Sequence, residues 1–291
     1  GVWWSERTAM VSPEEGREIV IETTIDRNSV RLILGDNQMI PLTSKHEVAI
    51  LNTKGILHSE GLRTLNYTYV KRDSLENVSE YHTLIVPKGE RQKVIFSDSS
   101  WVVLNAQSTM KYPVVFRGKE RKVYVEGEAY FEVTRDEKYP FVVSVKNFDV
   151  RVLGTSFNVM SYDDEFASSV TLLSGKVETT SGHDTVRLSP GEQVSITSDN
   201  RMTVQKTDIN VVVSWMDGKF GFSNERLDVI MRKICRWYDV EVLYAVPGIR
   251  ERRFTGAPAS NMPLKELLEA LSTTTNLQFS LQDGVITIKQ N

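Results

Sequence analysis

The apolar residues of this 291-residue chain change their spacing once, near Asp217. From about residue 28 to 205 they return at every second position, the period of a strand with one face buried. After Asp217 they return at i, i+3, i+4 and i+7, the period of an amphipathic helix. A stretch patterned at period two cannot bury one side as a helix, so the longer first part must be built of strands. The turn signals agree. "SVRLILGDNQMIPL" (29–42) and "QKVIFSDSSWVVLN" (92–105) each read strand, acidic turn, strand. They match at an offset of 62, with Ile33 on Ile95 and Asp36 on Asp98, which is a duplicated hairpin. Later runs carry a mid-run glycine at Gly127, Gly154 and Gly175, spaced by 27 and 21 residues. That is too irregular for a strict solenoid, but such glycines mark bends or close backbone approaches. The expected fold is mainly β, a short-strand β-sandwich or β-roll.

The end of the chain reads differently. "SNERLDVIMRKICRWYDVEVLY" puts Leu227, Ile230, Met231, Ile234 and Tyr238 on one helical face, with Ser223 or Asn224 as the cap. "NMPLKELLEALSTTT" reads as a second helix, capped by Asn261, with Pro263 in its first turn and Leu264, Leu267, Leu268 and Leu271 as its stripe. Strands at "VEVLY", "RRFTGAP", "LQFSL" and "VITIK" complete a small α+β domain of order β-α-β-β-α-β-β. The expected division is a membrane-proximal segment at 1–28, an all-β domain at 29–212 and the α+β domain at 213–291.

Charge and composition narrow the function classes. The net charge of −3 argues against a nucleic-acid binder. Residues 219–291 hold ten Lys and Arg against eight Asp and Glu, so this end better suits an acidic partner surface. Cys235 is the only cysteine, which leaves no disulfide framework and suits a small core thiol on a helix. No apolar run approaches the roughly 20 residues that span a bilayer. Trp3 and Trp4 would suit a membrane interface beside a helix outside this sequence, or equally two aromatics that dock locally or stay disordered.

"VYVEGEAYFEV" (123–133) raises the question of catalysis, because Glu126, Glu128 and Glu132 lie two and four residues apart. Sugar hydrolysis needs two carboxylates roughly 5–10 Å apart. Here the odd positions are Val, Val, Gly, Ala, Phe and Val, and the three acids share the opposite face. The expectation is therefore a solvated strand face. His46, His58, His82 and His183 stand apart with no metal-ligand spacing. "GTSFN" is no nucleophile elbow and "GKERK" no phosphate loop. No catalytic, cofactor or metal residue is expected, and the chain reads as no enzyme. The competing reading from the residues alone is a glycan-binding or glycan-hydrolysing β-sandwich, for which Tyr124 and Tyr130 would have to supply the aromatic pair.

"VPKGERQKVIFSDSSWVVLNAQSTMKYP", "VYVEGEAYFEVTRDEKYPFVVSV", "VRVLGTSFNV", "VTLLSGKVE" and "LSPGEQ", in this order, closely resemble the periplasmic part of FecR-family anti-sigma factors. "SWMDGKFGFSNERLDVIMRKICRWYDVEV" and the "PLKELLEAL" helix resemble that family's C-terminal domain, itself similar to the short N-terminal module of secretins and TonB-dependent transporters. The resemblance runs from about residue 29 to 291. It implies the periplasmic, signal-receiving part of a regulator anchored by a single inner-membrane helix. It also implies a partner, the N-terminal signalling domain of a TonB-dependent outer-membrane transporter. An extracytoplasmic-function sigma factor would be held only by a cytoplasmic domain absent from this chain. Strand addition is a low-cost way for two β-containing modules to meet. The short, charged "RERRFTGAP" is the expected edge. The expected contact residues are Arg252, Arg253, Phe254 and Thr255, helped by a basic helix face of Arg232, Lys233 and Arg236.

Overall fold

The computed structural model describes residues 28–43, 51, 54–59, 63–70, 80–219, 221–258 and 261–290, with two short strands at Thr8–Met10 and Ile19–Ile21. The expected membrane-proximal role of 1–28, including Trp3 and Trp4, otherwise falls outside the described residues. Strands between Arg31 and Lys206 form two sheets around one apolar core that includes Leu32, Leu84, Met110, Phe131, Phe141, Phe157 and Val194. Phe131 stacks on Phe157 with ring centroids 5.1 Å apart. This is the mainly β architecture the period implied.

The duplicated hairpin forms twice. Arg31–Ile33 pairs with Met39–Pro41, and Gln92–Ile95 pairs with Trp101–Leu104. Leu34 N–H donates to Gln38 at 2.9 Å and Phe96 N–H to Ser100 at 2.8 Å. Asp36 and Asp98 each accept the amide two residues on at 3.0 Å. Asn37 and Ser99 both take positive φ, 66° and 68°. Each acidic side chain closes its turn in the same way, which is why the acid recurs at that position.

One strand joins the two sheets. Arg121–Glu132 pairs in its first half with Ser108–Pro113 and Phe141–Val145, and in its second half with Trp101–Leu104 and Ser156–Ser161. Gly127 sits at the changeover with φ +98°, where a Cβ would lie 2.8 Å from the Ser108 Cα. The bend needs a residue without a side chain.

A polar chain threads the β core. Tyr112 O–H can donate to Tyr67 at 2.7 Å, Tyr67 O–H to His82 Nδ1 at 2.9 Å, and His82 Nε2–H to Glu80 at 3.0 Å. Burial lowers the His82 pKa from its ordinary value, and the Glu80 contact only partly opposes this. The unfolded chain therefore binds this proton more readily than the native one. Stability from His82 is fully present above about pH 6.5, the unfolded value, and declines as pH falls below it. Urea denaturation at pH 7 and pH 5 should show a loss of at most about 1.4 kcal/mol per pH unit from this residue. In His82→Gln that part of the slope should vanish; an unchanged slope would remove His82 as its source.

The C-terminal order is the expected one. Phe222–Arg226, helix α1 (Leu227–Tyr238), Glu241–Tyr244, Arg253–Gly256, helix α2 (Leu264–Thr275), Leu277–Gln282 and Val285–Gln290 follow in turn. Leu227, Ile230, Met231, Ile234, Leu267, Leu268 and Leu271 form a second core with Ile286 and Ile288. Asp283 and Gly284 take φ of 50° and 75°, the two positive values a tight two-residue hairpin turn needs. The expected caps are corrected. Ser223 and Asn224 lie within the strand paired to Arg253–Gly256, and α1 starts after Arg226 without a side-chain cap. Asn261 instead gives its amide to Gly218 O at 2.8 Å, and Pro263 precedes α2 rather than opening it. In both places longer-range contacts take the residue that local chemistry assigned to the helix: the Asn224 amide goes to Thr255 Oγ1 within an irregular part of the strand, and the Asn261 amide goes to Gly218 O. Residues 219–291 expressed alone are expected to melt cooperatively, with Leu268→Ala costing about 2–5 kcal/mol in that fragment. A broad, transition-free melt would count against an independent domain.

Candidate functional site

Arg253–Gly256 is a four-residue strand of the C-terminal domain whose outer edge is open. Among the described residues it pairs only with Phe222–Arg226, in the register Arg226↔Arg253 and Glu225↔Phe254. Leu227 N–H donates to Arg252 O at 2.8 Å. Antiparallel pairs alternate, so Phe254 turns its backbone groups inward while Arg253 and Thr255 turn theirs to the open edge. Phe254 packs against the second core and anchors the strand. The exposed Arg253 donates from Nη1 to Asn224 O at 2.6 Å. Thr255 Oγ1 accepts the Asn224 amide at 2.8 Å. Arg252 lies just before the strand, its guanidinium 5.8 Å from the Phe254 ring. Four of the expected residues thus gather at one edge, with two outward backbone positions and two arginines.

The helix face is different. Arg232 directs Nε and Nη2 onto Glu165 at 2.9 and 2.7 Å. Arg236 reaches Glu165 at 2.8 Å and also Asp164, and its guanidinium lies 3.8 Å from the centre of the Tyr162 ring. Both arginines therefore serve the β domain in this arrangement and are not a free basic face. Only Lys233, beside Glu225 at 3.7 Å, keeps an exposed amine. Spacing placed 232 and 236 one turn apart on the flank of α1, but nothing local said that the 162–166 turn would cover that flank.

The three glutamates also part company. Glu126 is exposed, as a solvated face requires. Glu128 lines a crevice of about 670 Å³ between the domains. Its carboxylate accepts from Asn105 at 2.8 Å and Asn158 at 3.0 Å. Burial holds its pKa above the usual carboxylate range, against the pull of these two amides. Glu132 accepts from Ser156 at 2.7 Å and from Tyr130 at 3.0 Å. The solvated-face expectation is thus corrected for Glu128 and Glu132, because a second domain and neighbouring strands cover what alternation left outward. Tyr130 is buried against Trp101, so Tyr124 is the only exposed aromatic of the pair a glycan groove would need. Cys235 is buried on α1 and burial pushes its thiol up to about 11, far from a reactive thiolate. Among the described residues no group of three His, Cys, Asp or Glu could hold a metal ion, and no helix is long and apolar enough to cross a membrane.

Residues 82–178 match the family model described as FecR protein, and residues 219–288 match the one described as FecR, C-terminal. Two crystal structures of a candidate anti-sigma factor from Parabacteroides distasonis ATCC 8503, at 1.65 and 2.50 Å resolution, superpose with a TM-score of 0.68. They are 30% and 29% identical to this chain, and each match covers 72% of this chain and 99% of that one. No curated protein matches it.

Proposed function

This chain belongs to the FecR family of anti-sigma factors, and from that premise we propose that it is the signal-receiving part of such a regulator. In this reading it lies in the periplasm, held to the inner membrane by a helix outside this sequence. It receives the N-terminal signalling domain of a TonB-dependent outer-membrane transporter, and the sigma factor is held by a separate cytoplasmic domain. The chain works by binding and performs no catalysis. The observation that carries the reading is the open edge at Arg253–Gly256 in the domain matched as FecR, C-terminal. An edge with outward donors and acceptors can take one more strand, and flanking arginines favour an acidic one while keeping the free edge from pairing with itself.

Thr255 is the residue to test. Proline there removes an outward backbone donor, whereas valine keeps the donor and removes only the Oγ1 contact to Asn224. Titration calorimetry with the isolated signalling domain should show Thr255→Pro weakening the complex by about tenfold or more, with Thr255→Val close to the parent. Circular dichroism checks the fold of each variant. Equal affinity of a folded Thr255→Pro and the parent would move the interface away from this edge.

A further inference from the structure

The two domains do not share a core. One apolar cluster draws on residues from Val30 to Ile196 and the other on residues from Phe222 to Ile288, with no member in common. Many of the contacts that join them are polar or charged, some of them laid on aromatic rings. Glu165 lies between Arg232 and Arg236, with Asp164 on the second arginine. Arg91 of the β domain donates to the Trp215 carbonyl and covers the Trp237 ring at 4.5 Å. Gly89 N–H donates to Arg236 O at 2.8 Å, and the Trp215 indole N–H to Asn158 at 3.3 Å.

We propose that this joint is a charge-paired latch that opens as a unit. The closed form is the one described here, and in the open form the segment around 207–221 tethers an otherwise free C-terminal domain. This goes beyond the docking reading and does not depend on it, since only the joint's geometry is needed. Buried ion pairs fix an orientation well but contribute little net stability, because both charges give up water to form them. Here the Glu165 and Arg236 side chains are each only 6% exposed. The closed form also carries uncompensated terms. Arg236 Nε is buried without a partner, and the Glu128 carboxylate, which lines the same crevice, is raised in pKa by burial even with two amide donors on it. Opening would hydrate both. Domain interfaces that are small and polar allow relative motion unless something opposes it. Removing one side of a buried pair leaves the other charge stranded, so neutralising the acids should release the latch rather than soften it.

Hydrogen exchange reads the joint directly, because the Gly89 amide and the Trp215 indole N–H report opposite parts of it. In the full chain both should exchange faster than the amides of Arg121–Glu132 and Val285–Gln290, which open only when a domain unfolds. Asp164→Asn with Glu165→Gln should accelerate both reporters together by about tenfold or more, leaving the strand amides of both domains unchanged. Asp163→Asn, which alters only an exposed pair with Lys146, should change neither. If the double variant fails to fold, Arg232→Gln keeps the Arg236–Glu165 pair and should accelerate both reporters to a lesser degree. Reporters that exchange in step with the strand amides, that respond separately, or that ignore both sets of substitutions would overturn the latch.

Discussion

Gly127→Ala is expected to remove about 3–5 kcal/mol from the β domain, combining a left-handed backbone that disfavours a side chain with a Cβ forced onto Ser108. The backbone there holds φ at +98°, and the added carbon would meet Ser108 Oγ at 2.4 Å and its Cα at 2.8 Å. Ser108 cannot easily yield. Its hydroxyl accepts the Glu128 amide at 2.9 Å, and its backbone belongs to the strand opposite. At roughly 2–4 °C per kcal/mol for a domain of this size, the melting temperature should fall by about 10 °C. Gly182 supplies the control. It also has positive φ, +59°, but nothing lies within 4 Å of an added Cβ, so Gly182→Ala should cost only about 1–2 kcal/mol. Calorimetry on both variants decides between the two causes. Equal losses would mean that backbone conformation alone sets the cost and that the Ser108 contact is unimportant.

The duplicated turn sets up the second large effect, because its two acids close their turns through the same backbone amide but have different surroundings. Asp98 closes its hairpin as Asp36 does, but its other oxygen also accepts from Arg121 Nη1 at 2.7 Å. Arg121 is buried, donating from Nε to Tyr139 O at 2.8 Å and from Nη1 to Thr134 O at 2.9 Å. Asp98→Ala therefore strands a buried guanidinium and should cost about 3–5 kcal/mol. Asp36→Ala loses one turn hydrogen bond and should cost about 0.5–1.5 kcal/mol. Urea denaturation of the two variants makes the comparison within one protein. Similar losses would show that Arg121 finds adequate partners without Asp98.

Most of the fold could be read from local signals. Period two, acidic turns and mid-run glycines led to a strand-built domain, and period 3.6 at Leu227–Tyr238 and Leu264–Thr275 led to the helices that follow. Each of these signals concerns a residue and its near neighbours in the chain, where geometry is fixed by φ and ψ and by which face an apolar residue must hide. The cap residues mark the limit. Asn224 and Asn261 suit helix starts chemically, yet the first is drawn into a strand and the second binds Gly218.

The candidate site divides along the same line. A short stretch guarded by arginines and closed by Pro258 is a local pattern, and the sequence pointed to "RERRFTGAP" (250–258), within which the strand spans Arg253–Gly256. Arg232, Arg236 and Glu128 were legible as charges on an outward face, but which of them stays outward depends on how two domains pack. The Tyr67–His82 contact, likewise, joins residues 15 apart in the chain that no spacing rule connects. Periodicity states which side of an element avoids water in its own layer. It carries no information about a second layer from elsewhere in the chain, and here that second layer turns two arginines and a glutamate from surface groups into parts of a joint.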